Sequence, residues 1–329
     1  MKPRFWLAIF GSFVVLAVVL ATMPLIGSSN VQLSRAFQGQ SPDKEIFFYV
    51  RLPRVLLAAL AGGALAVAGV LFQALLRDAL ASPYTLGISS GAALGAVSAI
   101  TLGWQKVGNL PAVWMLAFLG AAITMLLVIW ISSEGRRMSS FTLLLSGVTI
   151  NSICLALILF LHYRSNFQQS FAIVRWLMGG IEPVEYSTLG WLAVAVLPVL
   201  GYVFWRGRDW NLMAVGEDWA AARGVSVPRL VLAGYLAGSF VTGTITALTG
   251  PIGFVGLIVP HALRTRLGAD HRLLIPTSFF TGAAFLAACD TVARTILAPT
   301  EVPVGVVTAL LGGPFFIWLL RSRKRSLWL

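Results

Sequence analysis

Apolar runs of about 20 residues recur along the whole chain, and no other feature restricts its fold as tightly. An α-helix of that length spans the hydrocarbon core of a bilayer. Such runs fall near 5–26, 52–76, 84–103, 111–132, 141–162, 188–206, 229–249, 253–267, 272–297 and 303–320. The expectation is an all-α polytopic membrane protein with about ten transmembrane helices. Composition agrees: of 329 residues, 58% are hydrophobic and 11% charged, more apolar surface than a soluble domain of this size can hide. The runs leave no room for a soluble domain of ordinary size, so residues 1–329 form one transmembrane domain on this reading. The first run follows a basic start and is long enough to span, which favours an uncleaved helix over a signal peptide.

The eighth run, "GPIGFVGLIVPHALR", is short and rich in Gly and Pro, the pattern of a broken or half-length helix. Irregular backbone survives at membrane depth only where protein or a water-filled cavity covers it. Small residues crowd "AGGALAVAGV" and "SSGAALGA", and Gly and Ala let helix backbones approach closely where lipid supplies no hydrophobic drive.

The formal charge of +12 is a statement about topology, since no aromatic-studded basic groove for nucleic acid accompanies it. With the N-terminus inside, 16 of the 24 basic residues fall in inner segments and 8 in outer ones. The bias puts both termini in the cytoplasm, with "RSRKR" as the closing anchor. It also forces Arg51 and Arg54 of "RLPR" outside, against the local trend. Cys154 and Cys289 lie inside apolar runs as small core residues, with neither a disulfide nor a metal motif around them.

Enzyme chemistry has no foothold. No H-E-x-x-H, G-x-S-x-G or Cys/His cluster occurs, and no G-x-x-x-x-G-K-[ST] loop, so the chain cannot hydrolyse a nucleotide by itself. What remains is a membrane protein that moves something. An ion-coupled carrier needs ionisable groups deep in the membrane. Asp290 is the only acid well inside a run, and Arg294 at i+4 shares its helix face, so a local ion pair competes with a proton relay. A scaffold without transport activity is a third, more distant class. Residues 206–229, "RGRDWNLMAVGEDWAAARGVSVPR", hold Glu217 and Asp218 at the start of an Ala-rich segment and Gly224 at its stop. That is the pattern of a short exposed helix for a peripheral partner, or of a solvated connector.

The run beginning "RLPRVLLAALAGGALAVAGVLFQALLRDALASPYTLGISSGAALGA", the loop "VGEDWAAARGV" and the stretch from "GPIGFVGLIVPHALRTRLGADHR" through "CDTVART" to "LLGGPFFIWLL" resemble the FecCD family. These are permease subunits of bacterial ABC importers for iron-siderophores, haem and vitamin B12, and the similarity covers essentially the whole chain. The resemblance implies ten helices per subunit and a second permease copy as partner. It further implies two ATPase subunits that carry ATP and Mg, and a periplasmic or lipid-anchored binding protein. No cofactor is then held by this chain, which sits in the inner membrane with an iron chelate or cobalamin as cargo.

The resemblance also implies residue roles. Gly216, Glu217, Asp218, Ala221, Ala222, Arg223 and Gly224, within a loop of about 207–228, match the helices that couple to the ATPase. This chain has Arg-Gly-Val where the family usually has Leu-Gly-Val. Asp78, Leu80, Ser139, Ser140 and Phe141 match two cytoplasmic gate loops, and Asp78 and Ala79 stand where the family often has Asn-Pro. Ser146, Thr149, Asn151 and Ser152 on the fifth span match pathway-lining positions. Arg51, Arg54 and Arg294 match arginines that meet glutamates of the binding protein, a role suited to a planar fork that binds carboxylates bidentately.

Overall fold

The computed structural model describes residues 3–326 apart from 28, 30, 109, 135, 136 and 139. Helices occupy every expected run: α1 (Pro3–Thr22), α2 (Leu52–Leu76), α3 (Ile88–Thr101), α4 (Ala112–Ser132), α5 (Ser140–Tyr163), α6 (Tyr186–Trp205), α7 (Val227–Thr249), α8 (Val255–Leu267), α9 (His271–Thr295) and α10 (Val304–Ser326). Among the described residues, seven helical stretches are long and apolar enough to cross a membrane, and α3 and Val304–Trp318 of α10 are shorter apolar helices. With 13 residues, α8 is the half-length element that its glycines and prolines suggested.

α2 is the axis of the bundle. In the apolar 18-residue window of Asp43–Leu76, 89% of the residues are buried, whereas in that of Phe5–Leu25, equally apolar, 6% are. Side-chain size explains the difference. α1 presents Trp6, Leu7, Phe10 and Phe13 outward and packs chiefly on α9. α2 carries Gly62, Gly63 and Gly69 among alanines, and it packs on α9, α7 and α8. A Cβ on Gly62 would collide with the carbonyl of Gly282, and one on Gly69 with the carbonyl of Gly256. Such close approach is how dispersion contacts hold helices together in lipid.

α2 begins at the end of the bundle that also holds residues 23–29 and 296–301, the near end. It finishes at the far end, beside residues 207–226. Two irregular segments, 81–87 after α2 and 250–254 before α8, pass between helices, while 77–80 lie at the surface. Gly87 (φ +77°) stands against the carbonyl of Gly147, about a third of the way along α5, and Gly256 against Leu65 and Gly69 of α2. Ser82, Pro83 and Tyr84 meet Ile252, Phe254 and Leu65 around a cavity of about 10 Å³, room for one water. Protein therefore packs against much of the backbone at 81–87 and 250–254, which makes it tolerable at that depth.

Three elements depart from the expected pattern. A π-helical turn, Ile46–Arg51, runs into α2, so "RLPR" lies within a continuous helical stretch and not at the mouth of a span. A short helix, Phe167–Leu177, lies between α5 and α6; Asn166 caps it by accepting from the Gln169 N–H, and Gln169 accepts in return from the Asn166 N–H. The segment between α6 and α7 holds two short helices, Gly207–Val215 and Glu217–Ala222, broken at Gly216.

Candidate functional site

At the near end Arg51, Arg54 and Arg294 are 4%, 7% and 5% exposed. The guanidinium of Arg54 donates through Nε and Nη2 to Asp290 at 3.0–3.2 Å. Its Nη1 donates to both oxygens of Glu301 at 3.0 and 2.9 Å. Asp290 is fully buried, whereas the Glu301 side chain is 53% exposed. Arg51 donates to the carbonyls of Pro24, Leu25 and Ser29 and to the Ser29 hydroxyl. Arg294 donates through Nη2 to the carbonyl of Met23 at 2.7 Å and to Thr291 Oγ1 at 3.2 Å.

One expectation is corrected here, the partner of Asp290. The three arginines face inward onto carbonyls and carboxylates of the same chain, because a buried guanidinium must satisfy its N–H groups. The expected Asp290–Arg294 pair is the weaker contact, at 3.9 Å, and the principal partner of Asp290 is Arg54, which arrives from α2. An aspartate clamped in this way is a paired structural group, which removes the residue that a proton relay would need. Glu301 was not singled out from the sequence, and no local pattern marks it.

At the far end the coupling segment divides in two. Trp210 and Met213 on the first short helix are fully buried, and the Trp210 indole N–H donates to the carbonyl of Val203 at 2.9 Å. Asn211 clasps this helix to the start of α9: its Nδ2 donates to Asp270 at 2.8 Å, and its Oδ1 accepts from the backbone N–H of His271 at 2.7 Å. Asp270 caps α9 by accepting from the Arg272 N–H. The Arg272 guanidinium beside Asp270 holds its carboxyl below the usual range, at about 2. The first helix is thus packed in, and Asn211, the residue that fixes it, was missed; the exposed helix expected between Glu217 and Gly224 is the second one.

The second helix remains open. Asp218, Ala221, Ala222, Arg223 and Gly224 are exposed, as is Trp219, while Gly216 and Glu217 are partly covered. Arg77, the left-handed residue that ends α2, reaches Glu217 at 3.0 Å. That contact joins the expected gate segment to the expected coupling helix. Asp78 folds its own loop by accepting from the Leu80 N–H at 2.9 Å, and Leu80 and Phe141 are 50% and 73% exposed. Ser139 and the side chain of Ser140 lie outside the described residues.

On α5, Thr149 and Ser152 stand on an exposed stripe with Leu145 and Val148, and Asn151 is partly covered. Ser146 turns the other way: it is 5% exposed and accepts from Ser132 of α4 at 3.2 Å. Its nomination as pathway lining is corrected, because the helical period sets it on the packed face.

The FecCD transport family matches residues 12–322. The hemin transport system permease protein HmuU of Yersinia pestis is 39% identical over 334 residues, which cover 98% of this chain and 98% of the relative. The vitamin B12 import system permease protein BtuC of Shigella boydii serotype 18 is 38% identical, over 97% and 96% of the two chains. A solved chain from a metal-chelate type ABC transporter, in an inward-facing conformation, matches with a TM-score of 0.83 at 31% identity, covering 96% of this chain and 99% of its own. Permeases of this class are transport subunits and not enzymes, and they work in the bacterial inner membrane with ATPase and substrate-binding partners. The family match and the shared fold together make this chain a member of the FecCD transport family, a permease subunit of an ABC importer.

Proposed function

We propose that the cargo is an iron chelate of the haem or siderophore class, moved by alternating access through a homodimer of this chain. The observation that carries the cargo is the likeness to a hemin permease over 98% of both chains, beside that to a metal-chelate type transporter. The runner-up is vitamin B12, favoured by the 38% identity to the BtuC permease. Uptake of radiolabelled hemin and cobalamin separates them, in cells whose own permeases for both are deleted and which express this chain with its ATPase and binding protein. Accumulation of hemin or a ferric siderophore is expected. Accumulation of cobalamin alone would overturn the assignment.

In this reading both termini are cytoplasmic, in accord with the 16 to 8 division of basic residues. The far end faces the ATPase, which holds ATP and Mg, and this chain binds no cofactor. The exposed helix Glu217–Ala222 with Gly216, Arg223 and Gly224 transmits the stroke, and its ion pair with Arg77 carries it to Asp78 and Leu80, which close the gate with Ser139, Ser140 and Phe141. Thr149, Asn151 and Ser152 line the pathway on the stripe of α5 left open for a second copy. The near end docks the binding protein. Arg51, Arg54 and Arg294 bring three positive charges against the two carboxylates of Asp290 and Glu301, so a positive excess lies just beneath this end and favours an acidic partner.

A further inference from the structure

A cavity at the far end borders the proposed coupling helix at Arg223 and Gly224, but its other lining residues carry no role given above. It measures about 480 Å³ and opens between the end of α6, the helix Gly207–Val215 and the start of α7. Arg206, Arg223 and Arg229 line it with Ser226 and Tyr202, and Asp209 is its single acid. The lining therefore carries two net positive charges. Asp209 is engaged with Arg206 at 2.6 Å, while Arg223 and Arg229 are exposed and meet no carboxylate among the described residues.

Three further observations fit this cavity to a ligand. Its position is lateral: Tyr202 and Arg206 at the end of α6 line it, next to Trp205, which is 75% exposed. Its arginines are braced by aromatic rings, with Arg206 over Trp205 at 5.9 Å and Arg223 over Trp219 at 5.6 Å. Exposed tryptophans at the end of a span mark the headgroup level of a bilayer. The N-terminus of α7, a helix of 23 residues, adds its positive dipole end beside Ser226.

We propose that this cavity binds the phosphate of an anionic phospholipid headgroup. Arg223 and Arg229 take the phosphate oxygens, and Arg206, held back by Asp209, tunes the affinity. A lipid seated there lies directly against the segment that leads from the coupling helix into α7. Lipid charge thereby acts on the stiffness of the coupling segment. The proposal rests on the coupling reading only for that last consequence, because lipid binding is measured without transport.

The test uses the purified full chain in nanodiscs of phosphatidylcholine with and without phosphatidylglycerol, followed by native mass spectrometry of the lipids retained. The wild type is expected to retain phosphatidylglycerol preferentially. Arg229→Gln should weaken retention by about fivefold. Asp209→Asn, which frees Arg206, should strengthen it by a similar factor, a gain that mere structural damage does not produce. Arg175→Gln, at the near end, serves as the control and should change nothing. Equal retention of both lipids by the wild type would overturn the proposal, as would retention that ignores both cavity substitutions. Inorganic phosphate added in detergent separates the sources: if it binds at Arg229 with no lipid preference, the site is one for free phosphate and the lipid proposal falls. ATPase turnover is recorded separately on the importer assembled with its ATPase subunits, so that selective lipid binding without any effect of Glu217→Ala on turnover sinks the coupling reading alone.

Discussion

At the near end Arg51, Arg54 and Arg294 are at most 7% exposed and bonded to Asp290, Glu301 and four backbone carbonyls. At the far end Arg77 pairs with Glu217 and Arg206 with Asp209, both carboxylates partly exposed, while Arg223 and Arg229 are exposed and meet no carboxylate among the described residues. The same residue type is spent on opposite mechanical properties. A buried, multiply bonded guanidinium fixes the relative positions of α2, α9 and the segment after α1, since any movement leaves an uncompensated charge. An exposed arginine exchanges carboxylate for water at little cost. The near end is accordingly built as a rigid plate, and the far end as a joint that re-pairs.

The sharpest way to break this contrast is to remove its central anion. Asp290→Ala leaves Arg54 with Glu301 alone and its buried Nε and Nη2 unpaired, and should cost about 3–5 kcal/mol, seen as a large fall in thermal midpoint of the purified chain or its failure to accumulate. Adding Arg54→Met should restore part of that loss; if the double variant is no better than the single, the pair is not the lock described. Next comes Gly69→Ala, where the new Cβ meets the Gly256 carbonyl and overpacking should cost about 1–3 kcal/mol by the same measurement. Arg77→Ala at the far end should cost stability no more than about 1 kcal/mol, yet lower uptake several-fold. Equal losses of stability at the two ends would erase the distinction.

The smallest effect belongs to Asp270. Its folded-state pKa is depressed from 3.8 to about 2, so its contribution is present above about pH 4 and is lost as pH falls toward 2. Asp270→Asn should lower the midpoint slightly at neutral pH, leave it nearly unchanged near pH 2, and so flatten the acid side of the midpoint-against-pH curve.

The ten spans were legible because a bilayer leaves a helix no alternative way of satisfying its backbone, and hydropathy records that demand directly. Which helix is central was legible only in part. α1 and α2 are equally apolar, and the glycines of α2 are the sole hint that one is enclosed and the other faces lipid. The near-end network was not legible, since Arg54 and Asp290 are 236 positions apart and nothing local pairs them. Ser146 misled because a polar residue in a span marks either a pathway or a helix contact, and only the rotation of α5 against α4 decides. The capping box of Phe167–Leu177, by contrast, stands plainly in "NFQQ" and was passed over because apolar length dominated the search.

The half-length helix α8 bears on how the protein is made. Thirteen residues that include Arg264 and Arg266 partition poorly into a bilayer alone, and the five residues before them leave peptide groups bare. During synthesis this segment has to wait at the insertion machinery until a proteinaceous groove receives it. The glycine face of α2, translated some 180 residues earlier and already threaded, is that groove, with the Gln73 side chain ready to donate to the Gly256 carbonyl. The order in which the ribosome delivers the helices is thus an ingredient of the fold. A permuted gene placing α8 ahead of α2 would yield a chain of identical composition that stalls at the membrane.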